Sequence, residues 1–130
     1  MSRRAVLALL ALAAAACGGK PPPRFPVAPP LVVGFTAEGI ASWYGPGFRG
    51  RRTSSGERFD PGELTAAHGD WAFGTRVRVT LLTTDKSVVV RINDRFPPYK
   101  GRLIDLSRGA ARAIGLIGPG TGEVRVEVVE

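Results

Sequence analysis

The chain has 130 residues, 44% of them hydrophobic, so it holds one small domain of roughly 100 residues once a leader is set aside, which excludes most multi-domain enzymes. Seventeen Gly and eleven Pro exclude a helical bundle or coiled coil, and one Cys with one His leaves neither a disulfide nor a zinc-type ligand set. Of the 18 basic residues, Arg3, Arg4, Lys20 and Arg24 precede the domain; the remaining 14 face 11 acidic residues, too small an excess to point to nucleic acid.

In chain order, Arg3 and Arg4 lead into an apolar run from Ala5 to Ala16 that is too short to span a bilayer, the pattern of a signal peptide over residues 1–16. Ala14, Ala15 and Ala16 before Cys17 resemble the cleavage box of bacterial lipoproteins, in which the Cys is lipidated and anchors the mature chain. Ordinary cleavage that leaves a free thiol is the alternative. Residues 17–34 then carry six of the eleven prolines, a composition suited to an extended tether. At about 3.1 Å per residue it reaches up to roughly 50 Å from the membrane.

From Phe35 the pattern turns to short alternating runs. Gly39 to Tyr44 reads as a first strand. Val77, Val79 and Leu81 alternate with polar neighbours, as do Val88, Val90 and Ile92, and Thr83 to Lys86 separates the two runs as a hairpin turn. Ser107 is placed to cap a short helix ending at Ile114, with Gly115 as its stop, and Val124, Val126 and Val128 form a terminal strand. So few residues in strands must close on themselves to protect their edges, which predicts a mainly β fold, a small barrel over residues 35–130.

Candidate chemistry rests on carboxylates. If the period of two continues past Ile92, Asp94 ends an apolar row, where desolvation would raise its pKa and suit it to general-acid work; the alternative is a turn Asp before Pro97 and Pro98. A second cluster, Thr53 to Asp60 followed by Leu64 to His68, offers Glu57, Asp60 and His68 as a groove facing Asp94, or as loop-solvating charges and a satisfied histidine. No second His or acidic triplet accompanies His68, so no metal site is expected.

The succession Gly39-Ile40-Ala41-Ser42-Trp43-Tyr44-Gly45, Thr53-Ser54-Ser55-Gly56-Glu57-Arg58-Phe59-Asp60, Leu64-Thr65-Ala66-Ala67-His68, Gly74 to Thr80, Val88 to Arg95 and Arg102-Leu103-Ile104-Asp105-Leu106-Ser107 resembles the catalytic domain of the rare lipoprotein A family. The resemblance implies a six-stranded double-psi β-barrel with one or two short helices, the fold of expansins and related endoglucanases. It also implies lytic transglycosylase action on peptidoglycan glycan strands, with 1,6-anhydro products and no cofactor. Asp94 takes the place of the acid/base, with Glu57, Asp60 and His68 in the matching groove positions and Tyr44, Thr53 and Arg95 toward substrate. A monomer, lipid-anchored through Cys17, is expected in the bacterial envelope; Gly18 after the Cys favours the periplasmic face of an outer membrane over the inner membrane. The family's Gly-Pro-Phe after Asn-Asp-Arg is Phe96-Pro97-Pro98 here, which narrows the groove and supports, as an alternative, a non-catalytic expansin-like glycan-binding lipoprotein.

Overall fold

The alternating valines form a barrel wall because each run buries one parity of side chains and leaves the other to solvent. The computed structural model describes residues 31–97 and 101–130. In it six strands, β1 (Thr36–Trp43), β2 (Thr65–Ala67), β3 (Arg76–Leu81), β4 (Ser87–Asp94), β5 (Arg102–Leu106) and β6 (Gly122–Val128), close in the order β1-β5-β2-β4-β3-β6. Two neighbouring pairs, β1 with β5 and β2 with β4, run parallel, and the other paired strands run antiparallel. This is the double-psi β-barrel implied by the sequence blocks. The signal peptide, Cys17, the tether as far as residue 30, and Pro98 lie outside the described residues.

The hairpin of β3 and β4 is as its alternation predicts, with Val79 opposite Val88 and Val77 opposite Val90. Its turn places Asp85 at φ 59°, a left-handed conformation that a short polar side chain tolerates. Val77, Val79, Val90, Ile92, Val124 and Val126 are all essentially inaccessible and fill the barrel with Ile104 and Leu106. A helix, α1 (Arg108–Ile114), plugs one end with Ala110, Ala111 and Ile114. Ser107 caps it, its Oγ accepting from Ala110 N–H at 3.2 Å, and Gly115 ends it at φ 77°.

Three elements differ from the simple alternation reading. β1 begins at Thr36 rather than Gly39, because β6 continues to pair with it through Thr36 opposite Glu127. β2 has only three residues, all buried, so its length hides it from any period count. Leu31 packs against the core and Gly34 N–H donates to Val128 O at 2.8 Å, so contacts with the barrel start before Phe35.

Candidate active site

One transverse row of residues builds the polar end of the barrel. Ser42 of β1 pairs with Asp105 of β5, Asp105 pairs with Ala67 of β2, and Ala67 pairs with Asp94 of β4. With strands about 4.8 Å apart, the two Asp backbones stand about 10 Å from each other across the small Ala67. A bulge in the β2 and β4 pairing makes this register: Ala66 faces Ile92, and the next residue, Ala67, faces Asp94, so Asn93 is the extra residue. Asn93 is turned inward, and its Oδ1 is the buried side-chain oxygen without a partner among the described residues.

The bulge overturns the parity argument for Asp94. Asp94 takes the ladder position next to Ile92, on the side of Arg91, rather than continuing the apolar row. There its Oδ1 accepts from Ser54 N–H at 2.9 Å, Ser54 Oγ at 2.9 Å and Arg95 N–H at 2.8 Å, while Tyr44 donates its hydroxyl to Oδ2 at 2.8 Å. Burial pushes the pKa up, but the donors from Ser54, Tyr44 and Arg95 outweigh it and hold Asp94 below the ordinary carboxylate value, not above it as desolvation alone predicts. Tyr44 is shifted far upward by burial and by its bond to Asp94, so it remains a phenol donor.

Asp105 has the opposite balance. Burial raises its pKa above the ordinary value, against the lowering effect of Ser42 Oγ, which donates to Oδ1 at 2.8 Å, and of Arg102, 3.4 Å from the same oxygen; the negative charge of Asp94 raises it further. The row therefore holds one carboxyl group pushed below the ordinary carboxylate value and one pushed above it.

The other expected site residues are distributed around this row. The Thr53 to Glu57 loop carries Ser54 onto Asp94, while Glu57 forms a two-pronged pair with the Arg91 guanidinium, 3.0 Å on the Oε2 side. Chiefly that bond lowers the Glu57 pKa. Thr53 is buried and spends its hydroxyl inside the loop, on Ser55 Oγ and Glu57 O. Asp60 sits apart from the row, exposed, its Oδ1 accepting from Gly62 N–H at 2.8 Å in a local turn. Arg95 gives the Asp94 carboxylate its backbone N–H, while its guanidinium donates to the Asp94 and His68 carbonyls, both at 3.4 Å, and lies 4.1 Å over the Phe73 ring.

His68 does not orient a carboxylate of the row. Its Nδ1 accepts from Asp70 and Trp71 N–H, both at 3.1 Å, and its ring stacks on Trp71 at 3.6 Å. Burial, with the charge of Arg95, lowers its pKa to about 4 against the opposing pull of Asp70, so at neutral pH the 3.3 Å approach to Asp70 is no ion pair. His68 reaches Asp94 only through the backbone, donating N–H to Asp94 O at 3.1 Å. Phe96 leans its ring over Arg102, 5.5 Å from the guanidinium carbon, on the Asp105 side of the row.

Sequence reasoning missed Ser54, Ser42, Arg102 and Asp105 as site residues. Asp105 carried a signal, since Asp is depleted inside strands and this one interrupts Leu103-Ile104-Leu106. Ser54 carried none, being one hydroxyl in a run of three.

The sequence pattern of the family described as lytic transglycolase matches residues 36–128. A protein of Synechocystis sp. named "Probable endolytic peptidoglycan transglycosylase RlpA" is 63% identical over 92 residues, covering 71% of this chain and 29% of its own. The "Endolytic peptidoglycan transglycosylase RlpA" of Campylobacter jejuni is 52% identical over 99 residues, 76% of this chain and 36% of its own. The chain thus spans about a third of the length of these curated relatives. A Clavibacter michiganensis expansin superposes with a TM-score of 0.61 at 23% identity, over 74% of this chain and 51% of its own, and the Streptomyces papain inhibitor with 0.61 at 18%, over 75% and 97%. At such identities the superpositions speak to the barrel alone, whereas the pattern over 36–128 and the close relatives speak to descent: the chain belongs to the lytic transglycolase family, as an RlpA-like double-psi β-barrel.

Proposed function

We propose that this domain is a lytic transglycosylase that cuts the β-1,4 bond between MurNAc and GlcNAc in peptidoglycan, leaving 1,6-anhydroMurNAc ends. The relatives' names support the substrate, and the observation that carries the chemistry is the Asp94 and Asp105 row, whose two pKa values are pushed in opposite directions. Asp105, whose pKa burial raises, is the group suited to donate a proton to the leaving glycosidic oxygen as the C1 to oxygen bond breaks. Asp94, ionised, faces the oxocarbenium character that develops at C1 and then takes the proton of the MurNAc C6 hydroxyl as O6 closes on C1. The C1 to glycosidic oxygen bond breaks and the C1 to O6 bond forms; Asp105 loses one proton to the leaving oxygen, Asp94 gains one from O6, and exchange with solvent restores both. This divides between two groups the work that the sequence blocks assign to Asp94 alone.

The test is mass analysis of digests of purified glycan strands by wild type, Asp94→Asn, Asp105→Asn and Phe96→Gly. Wild type yields 1,6-anhydro ends, and each Asn variant loses rate on the order of 100-fold with the fold retained. Undiminished cleavage by either variant removes that residue from the mechanism. The Phe96 ring over Arg102 favours the second reading, a glycan-binding barrel without cleavage; products from Phe96→Gly but not from wild type would establish it.

The anchoring belongs to the same reading. Acylation at Cys17 would hold the domain at the envelope, on the periplasmic side of an outer membrane, as a monomer. Intact mass of the mature chain checks this: an acylated Cys17 at the N-terminus supports it, and a free thiol or cleavage elsewhere ends it.

A further inference from the structure

Of the twelve arginines among the described residues, five form ion pairs and seven do not, Arg51, Arg52, Arg58 and Arg95 among the latter. Arg76, Arg78, Arg91, Arg102 and Arg125, all in strands, are each paired with a carboxylate. Arg49, Arg108 and Arg112 make no ion pair among the described residues, which include every Asp and Glu of the chain. All three line one cleft of about 610 Å³ between the loop after β1, the Phe59 to Gly62 turn and α1, and no carboxylate lines it. Arg108 and Arg112 stand one helical turn apart and so leave α1 on the same side. Three unneutralised cations gathered in a concavity repel one another, an arrangement that an anionic ligand relieves.

The rest of the cleft is shaped for a ring. Tyr44 stacks on Phe59 at 4.5 Å and meets the edge of Phe48 at 5.5 Å, and these three rings line the cleft together with the arginines. The floor is held by backbone: Gly109 N–H donates to Pro61 O at 2.8 Å, and a Cβ on Gly109 would come within 2.9 Å of Gly62 O. Tyr44 belongs to both places, its ring in the cleft and its hydroxyl on Asp94. A polymer bound at Asp94 can therefore continue into the cleft.

We infer that this cleft binds a carboxylate carried by the glycan strand next to the bond that is cut, with the sugar against Tyr44 and Phe48 and the carboxylate among Arg49, Arg108 and Arg112. The identity of the polymer rests on the function proposed above; the charge and shape of the site do not. Guanidinium groups match carboxylates with paired N–H donors, and aromatic faces take the C–H side of a sugar. A neutral polymer would leave the three cations uncompensated. Two sources present the same group, the lactyl ether on the sugar itself and the stem peptide attached to it.

The experiment is calorimetric titration of the full chain in an Asp94→Asn background, which prevents turnover, with and without Arg108→Gln and Arg112→Gln together. The ligands are a glycan tetrasaccharide with free lactyl carboxylates, its methylamide, the peptide-bearing form, and chitotetraose. The carboxylate-bearing tetrasaccharide should bind about tenfold more tightly than chitotetraose, and the arginine substitutions should abolish that advantage while leaving chitotetraose binding unchanged. If the peptide-bearing form keeps the advantage, peptide carboxylates are the source; if it loses it, the lactyl group is. These arginines are exposed, and thermal melting checks that the fold persists; Arg49→Gln, on a different segment, gives a second variant with the same expected loss.

Equal affinity for charged and neutral tetrasaccharides, or discrimination that survives all three substitutions, overturns the inference. So does polyphosphate competing as well as the carboxylate ligand. Digestion by the otherwise wild-type chain separates the two readings: anhydro products without discrimination sink this site alone, and discrimination without products sinks the proposed reaction alone.

Discussion

Asp94 and Asp105 share a row and a residue type, yet their protons are held in opposite senses because four donors converge on one and burial dominates at the other. The sign of the pH dependence follows. In the proposed reaction Asp94 works ionised and Asp105 protonated, so the rate should rise with pH through the lowered Asp94 pKa and fall through the raised Asp105 pKa. A bell-shaped profile is expected, and Tyr44→Phe, which removes one donor from Asp94, should move its acidic limb to higher pH. An unchanged acidic limb in that variant would assign it elsewhere. His68 makes a stability prediction instead. Its folded pKa of about 4 against an ordinary 6.5 means that the folded state takes up protons later than the unfolded chain, so stability is full above pH 6.5 and falls as pH drops toward 4, by ~3 kcal/mol. Urea unfolding across that window should show the loss in wild type and a flatter profile in His68→Asn.

At the scale of elements, α1 is short and depends on what surrounds its first turn. Ser107 Oγ caps the helix and also donates to Glu63 O at 2.5 Å, so Ser107→Ala removes a cap and leaves a carbonyl without that donor. A loss of about 1–3 kcal/mol is expected by urea unfolding. Gly109→Ala sets two effects against each other: Ala favours a helix by about 1 kcal/mol, but its Cβ would stand 2.9 Å from the backbone oxygen of Gly62. Backbone cannot rotate away as a side chain can, so the clash should win, with net destabilisation of about 1 kcal/mol or more. A gain in stability in Gly109→Ala would show that the turn at Gly62 yields. The same change should displace the floor of the arginine-lined cleft and weaken glycan binding.

For the whole molecule, the barrel's edges are closed by pairing β1 with both β5 and β6, and the segment before β1 adds to that closure. Leu31 packs on the core, Gly34 bonds to Val128, and the Phe35 ring meets the edge of Trp71 at 6.4 Å. Removal of residues 1–30 should therefore leave the melting temperature nearly unchanged, whereas removal of 1–34 should lower it by several degrees. Equal melting of the two truncations would mean that the Leu31 to Gly34 contacts contribute nothing. Much of this architecture was legible from residues alone: the β3 and β4 hairpin, the strand at Val124 to Val128 and the helix between Ser107 and Gly115 each rest on period or on capping chemistry, which act over neighbouring residues. The family blocks extended that reading to the whole barrel and to Asp94. Tertiary structure decided the rest. A single bulged residue, Asn93, moved Asp94 off the apolar parity, and pairing across β5, β2 and β4 brought Asp105 into its row, because register between distant strands is set by closure of the barrel and leaves no periodic trace in any one segment. The pKa shift of Asp94 was likewise beyond a local pattern, since Ser54 and Tyr44 stand 40 and 50 residues away along the chain, and so was that of Asp105, which burial in the closed barrel raises against a donor 63 residues away, Ser42.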